Sequence, residues 1–296
     1  MSTQTAPDQR QPSPSPNERV IELTAGPIEY LDTGGEGATV VLLHGLLMDG
    51  SLWDSVVADL SRDHRCVVPT LPLGGHRHGM SADADLSLSG VAGLVEELID
   101  RLGLHDVTVV GVDTGGAIVQ LLMVAGRPAI ERAVLVSCDA FENFPPGLTG
   151  KTLVMAGKLP PALFGVFMAQ LRLRFVRRLP IAFGWLTKRG DAVTRRWLGP
   201  VLTQPEIRRD TVRVLRAIAG HRRLLVETSE GLSGFGRPAL VVWATSDRVM
   251  PLAHAHKLAE LLPQSEVVEV ADSYTLIPLD QPARLAALIR DFSLSD

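Results

Sequence analysis

Apolar and polar positions along this chain follow two periods that take turns. Strand-like runs occur at 19–24, 28–33, 39–43, 66–70, from Val107 through Val110, at 132–137, 239–243 and 266–270. They are short and rich in Val, Ile and Leu, and the inner ones are continuously apolar, as strands buried on both faces are. Helical spacing covers 51–60, 88–102, a stretch from Gly116 to Met123, 253–262 and 282–292; in 88–102 it sets Val91, Leu94, Val95 and Leu98 on one face. Between the sixth and seventh strand the pattern changes. From Cys138 to about Ser233 there is no strand signal, only helical segments punctuated by Pro and Gly. Residues 1–17 are polar and proline-spaced and cannot bury a core, so they are expected to be a disordered tail.

Strands that alternate with helices imply an α/β chain: a mostly parallel eight-stranded sheet with helices on both faces and ligands at the C-terminal strand ends. The all-helical stretch would lie over those ends as a cap. The expected division is a core of 18–140 and 234–296 and a helical cap of 141–233.

Composition narrows this picture only a little. With 46% apolar and 21% charged residues the chain is ordinary for a globular protein. A net charge of −4 argues against a general nucleic-acid binder. Cys66 and Cys138 have no paired spacing, so neither a metal site nor a disulfide framework is expected, and no cofactor is implied. No apolar run reaches membrane-spanning length and the start is no signal peptide, which makes the cytoplasm the default location. The composition leaves room for a homodimer. The cap is basic: from Phe141 to Glu230 there are 16 Lys and Arg against 6 acids. A solvated face, an anionic substrate, an acidic partner, or a cap held to an acidic core by opposite charge would each account for that.

The chemistry centres on Gly111-Val112-Asp113-Thr114-Gly115, placed between a strand and a helix. A strand, a Gly-x-Asp-x-Gly turn and a helix make a nucleophile elbow with Asp in the place of the usual Ser. A helix-capping Asp is the plainer alternative. Three more motifs follow the same order along the chain: His44-Gly45 after the third strand, Asp247 with Pro251 after the seventh, and Pro278-Leu279-Asp280-Gln281-Pro282 after the eighth.

With these motifs the chain resembles a capped α/β-hydrolase over about residues 19–294. The Asp at the elbow narrows the similarity to haloalkane dehalogenases, epoxide hydrolases and fluoroacetate dehalogenases. The resemblance implies that Asp113 attacks carbon and forms an ester, that a His then activates water, and that an acid orients the His. Asp247 fits the acid, with Asp139 and Glu142 as second choices. The backbone N–H groups of Leu46 and Thr114 fit the oxyanion donors. The His is missing: Tyr274 and Thr275 stand where relatives have Gly-His, and a threonine hydroxyl is no general base near neutral pH. The subclass markers are missing too. No Trp or Arg follows Asp113, no Asn follows His44-Gly45, and the cap contains no Tyr.

Two substitutes are open. His76 or His78, in the loop after the fourth strand, would supply a base. Alternatively, Asp113 and Asp247 would act as an acid and a base with no nucleophilic step, as in an isomerase or cyclase. The remaining candidates for substrate contact are His44, Asp139, Phe141 and Trp185. His44 is usually structural in its motif, and the cap's apolar residues Leu163, Phe164, Val166, Phe167, Leu171, Phe175 and Phe183 are expected to include pocket lining. The sequence thus reads as a hydrolase-class enzyme with an Asp nucleophile acting on a hydrophobic small molecule (carbon–halogen, epoxide or ester-like). A non-hydrolytic enzyme and an inactive hydrolase-fold binder are the alternatives.

Overall fold

A computed structural model describes residues 18–294, so the expectation for the proline-spaced start lies outside the described residues. Eight strands form one sheet: β1 (Glu18–Leu23), β2 (Gly26–Asp32), β3 (Ala38–Leu43), β4 (His64–Pro69), β5 (Val107–Asp113), β6 (Ile130–Cys138), β7 (Ala239–Ala244) and β8 (Ser265–Val270). Their order is β1-β2-β4-β3-β5-β6-β7-β8. β2 pairs antiparallel with β1 and β4, and every other pair is parallel. The burial of the strands explains their sequences. Every residue of β5 and β7 is buried, which matches an apolar run covered on both faces. The edge strands β1 and β8 are largely exposed or half-buried and carry Glu and Arg.

The core helices are α1 (Asp54–Leu60), α2 (Leu88–Arg101) and α3 (Thr114–Ala125). Between β6 and β7 come α4 (Gly147–Ala156), α5 (Pro161–Ala169), α6 (Arg174–Arg177), α7 (Asp191–Trp197), α8 (Gly199–Thr203), α9 (Pro205–Gly220) and α10 (Leu224–Gly231). After β7 follow α11 (Leu252–Leu261), α12 (Ile277–Asp280) and α13 (Pro282–Ser293). The expected architecture is therefore present, with the helical insert after β6. The helix expected over 51–60 opens instead as a 3-10 turn, Gly50–Trp53, before α1. The Asp49 side chain accepts from Ser51 N at 2.9 Å and caps that turn.

The insert is tied to the core by buried carboxylates. Asp210 on α9 accepts from Met80 N (2.8 Å) in the loop after β4, and Arg213 beside it donates to Ser81 O (3.0 Å). Asp280 is fully buried and accepts from Thr187 Oγ1 (2.8 Å) and Lys188 N (3.0 Å) of the insert and from Tyr274 N (3.0 Å) of the loop after β8. At the surface, Arg196 meets Asp54 (3.5 Å), and Lys188 and Arg189 meet Asp272 (2.8 and 3.0 Å). Part of the basic excess thus faces core acids, as one of the sequence expectations proposed.

Asp280→Ala should leave those buried donors without an acceptor and cost on the order of 3 kcal/mol or more. Urea unfolding checks this. A loss below about 1 kcal/mol would mean that the insert is held mainly by apolar packing.

Candidate active site

β5 ends at Asp113 and α3 begins at the next residue. Asp113 takes φ 55° and ψ −129°, a strained conformation that turns its side chain off the strand end. The reversal is so tight that a Cβ on Gly111 would lie 2.3 Å from Gly115 O. The loop after β3 closes in from the other side, where a Cβ on Gly45 would lie 2.5 Å from Asp113 Oδ1. Glycine at these two positions is what lets backbone donors reach the carboxylate.

Asp113 Oδ1 accepts from Thr114 N at 2.6 Å, from Thr114 Oγ1 at 2.9 Å and, more distantly, from Leu46 N at 3.4 Å. The two backbone donors are the pair that the family resemblance named for an oxyanion. One oxygen of Asp113 occupies this donor nest. The other has no hydrogen-bond partner among the described residues. Burial raises the carboxyl's pKa, and the Thr114 and Leu46 donors oppose that shift.

Thr114 Oγ1 also lies 3.0 Å from Asp139 Oδ2. Asp139 follows β6 directly and is fully buried. Burial, together with the negative charge of Asp113, pushes its pKa well above the ordinary carboxylate range. Gln120 on α3 fixes it by donating to Asp139 O at 2.7 Å and to Gly116 O at 3.2 Å. The sequence reading missed Gln120 and assigned Thr114 only through its backbone. A signal for Gln120 existed, since it is the one polar side chain between Gly116 and Met123.

Asp247 lies in the loop after β7, and its Oδ1 accepts from Met250 N (2.8 Å), Val249 N (2.9 Å) and Thr275 Oγ1 (2.9 Å). Thr275 is thus paired with the acid, in the role that the resemblance gives to a His. Asp247 Oδ2 is buried and has no hydrogen-bond partner among the described residues. Burial raises the Asp247 pKa to about 6 against its hydrogen bonds. No hydrogen bond joins Asp247 to Asp113; the carboxyl connected to Asp113 is that of Asp139.

The cavity beside the elbow has a volume of about 130 Å³. Asp113, Thr114, Asp139 and Leu46 line it together with apolar residues of the insert, among them Phe167, Leu171 and Phe183. Asp113 and Asp139 are its only ionisable lining residues among the described residues. No Lys, Arg or His reaches it, so the basic residues of the insert face elsewhere.

Several candidates lie outside this lining. His76 is buried with Nε2 3.7 Å from Asp210 Oδ2, and its Nδ1 accepts from Gly74 N at 3.3 Å. His78 pairs with Glu29 at 3.1 Å. His44 is buried and accepts from Leu71 N at 2.9 Å, a structural role. Phe141 packs edge-on against His254 at 5.3 Å, and Trp185 packs half-buried against the core cluster. Glu142 pairs loosely with Lys257 at the surface. In the insert, Phe164 is buried away from the cavity, whereas Leu163, Val166 and Phe175 are exposed. Among the described residues no cluster of His, Cys, Asp or Glu could hold a metal ion, and no helix is long and apolar enough to cross a membrane.

Comparisons with known proteins agree with the fold. Residues 40–288 match a family model described as the alpha/beta hydrolase family. An uncharacterised protein of Mycobacterium tuberculosis is 25% identical over 275 residues, which span 87% of this chain and 76% of that protein. A cis-3-alkyl-4-alkyloxetan-2-one decarboxylase of Xanthomonas campestris is 26% identical over 281 residues, spanning 90% of this chain and 91% of that protein. Among solved structures, a mutant of DbjA aligns with a TM-score of 0.74 at 15% identity, covering 93% of this chain and 97% of that one, and so shares the fold.

Asp247 generates a pH prediction. Its folded pKa of about 6 lies above the unfolded value of about 3.9. Between those values the folded state binds more protons, so stability falls as pH rises from about 4 to 6. The raised pKa values of Asp113 and Asp139 act in the same direction. Asp247→Asn should therefore flatten the profile, gaining roughly 2–3 kcal/mol on the wild type between about pH 4 and pH 7. Parallel urea titrations at those two pH values check it; equal slopes for both proteins would show that Asp247 is ionised without cost.

Proposed function

The chain belongs to the alpha/beta hydrolase family, and on that premise we propose that it is an enzyme whose Asp113 attacks an electrophilic carbon of a hydrophobic small molecule. The substrate is of the carbon–halogen, epoxide or ester-like kind. The supporting observation is the setting of Asp113: a strained elbow, with one carboxylate oxygen held by Leu46 N and Thr114 N, on the wall of an apolar cavity. A helix cap alone requires neither the Leu46 contact nor the cavity.

Attack leaves an ester on Asp113. Hydrolysing that ester requires a base to activate water, and Thr275 cannot be that base. His76, beside Asp210, and His78, paired with Glu29, do not line the cavity. The covalent half-reaction therefore outruns hydrolysis, and the ester accumulates with a substrate whose release requires water.

A second reading is favoured by the same substitution: a reaction that consumes no water. The Xanthomonas campestris relative is named for one, because loss of carbon dioxide from a four-membered lactone requires none. For that chemistry the acid/base partner of Asp113 is Asp139 rather than Asp247, since Thr114 joins the two.

Intact-mass spectrometry after incubation with halides, epoxides, lactones and activated esters separates these readings. The first predicts an adduct that maps to Asp113, persists for hours and falls by at least about 1000-fold in Asp113→Asn. Turnover without any adduct favours the second. Neither adduct nor turnover, with ligand affinity retained in Asp113→Asn, would leave a binding protein.

A further inference from the structure

Three oxygens lie in a row beneath the cavity: Asp139 Oδ2, Thr114 Oγ1 and Asp113 Oδ1, with spacings of 3.0 and 2.9 Å. Each spacing is a hydrogen bond, and each bond needs one proton. A threonine hydroxyl carries a single proton. The other must sit on one of the two carboxyls, since two carboxylates facing one hydroxyl would leave a bare contact between oxygen lone pairs.

The surroundings say which carboxyl holds it. Asp113 Oδ1 has two backbone N–H groups besides the hydroxyl, which favour its charged form. Among the described residues Asp139 has no side-chain donor other than Thr114, and its Oδ1 is buried with no hydrogen-bond partner. Charge therefore belongs on Asp113 and the proton on Asp139. Both groups line the cavity.

We propose that Asp139 is the proton donor of this site, working with Asp113 to open strained cyclic ethers. This rests on the reading of Asp113 as nucleophile. Asp113 Oδ2 forms a bond to a ring carbon, and the C–O bond breaks with its electron pair staying on the ring oxygen. The proton of Asp139 moves to that oxygen. The products are a hydroxyalkyl ester on Asp113 and a carboxylate on Asp139. The cavity holds one negative charge before the step and one after it, so no second charge has to be buried.

An alkyl halide would behave differently. It needs no proton, but it releases an anion into the cavity. Among the described residues the lining offers that anion no Lys, Arg, His or Trp, and its neutral side-chain donors besides Thr114 are Gln170, Thr152 and Thr149. The Thr149 hydroxyl is already given to Pro180 O at 2.8 Å. Asp139 also occupies the role for which the insert supplies no Tyr, protonation of the departing oxygen.

The test compares styrene oxide with benzyl bromide, reading ester formation at Asp113 by peptide mass mapping in wild type and Asp139→Asn. An amide at 139 can still donate to Thr114 Oγ1 but has no proton to transfer. Asp139→Asn should lose at least about 100-fold in labelling by styrene oxide, while its benzyl bromide labelling should change by less than about 3-fold. Equal losses with both probes, or undiminished epoxide labelling in Asp139→Asn, would overturn the proposal. If neither probe labels the wild type, it is the assignment of Asp113 as nucleophile that fails. Infrared difference spectra at neutral pH then decide Asp139 by itself. A protonated-carboxyl band present in the wild type and lost in Asp139→Asn supports the stored proton, and no such band overturns it.

Discussion

Asp113 carries its carboxylate at the wall of a cavity lined mostly by apolar side chains, where an isolated charge costs several kcal/mol. The surrounding structure is arranged to lower that cost. The turn after β5 points the first N–H of α3 at Oδ1, and the glycine at position 45 lets Leu46 N approach the same oxygen. The Thr114 hydroxyl adds a third donor. Three donors gather on one oxygen, and the other has no hydrogen-bond partner among the described residues.

The second carboxyl follows from the same constraint. Asp139 is brought beside Thr114 by the register of β6 on β5, where Asp113 pairs with Cys138. Two charges so close in a dry site would repel, and the arrangement avoids this by leaving Asp139 protonated. Asp247 meets the problem separately. It sits in its own set of backbone donors and is capped by Thr275. The connected titratable pair of the cavity is Asp113 with Asp139, joined through Thr114.

The helical insert adds enclosure without adding charge to the cavity. Its apolar residues close over the elbow, and several of its arginines and lysines meet acids of the core. Buried Asp210 and Asp280 secure the same junction from within. An enclosing layer held at its rim by polar contacts and lined by apolar groups keeps water from the reacting carbon and strengthens every electrostatic interaction beneath it.

The strand and helix order, the insertion after β6 and the elbow at Asp113 were legible in the sequence because each has a local signature. Periodicity reports which faces are buried, and glycines around an Asp at a strand end report a turn too tight for side chains. The absence of a His at Thr275 was legible for the same reason. What tertiary structure decided was partnership. His76 and His78 sit in a loop that opens on the right end of the sheet, yet His76 lies beside Asp210 and His78 pairs with Glu29, away from the cavity. The pairing of Asp113 with Asp139, 26 positions away, depends on the register of two parallel strands and on a threonine hydroxyl between them. Spacing along a chain carries the period of an element, but which side chains of different elements meet is set by packing in three dimensions, and that decides which group holds the proton.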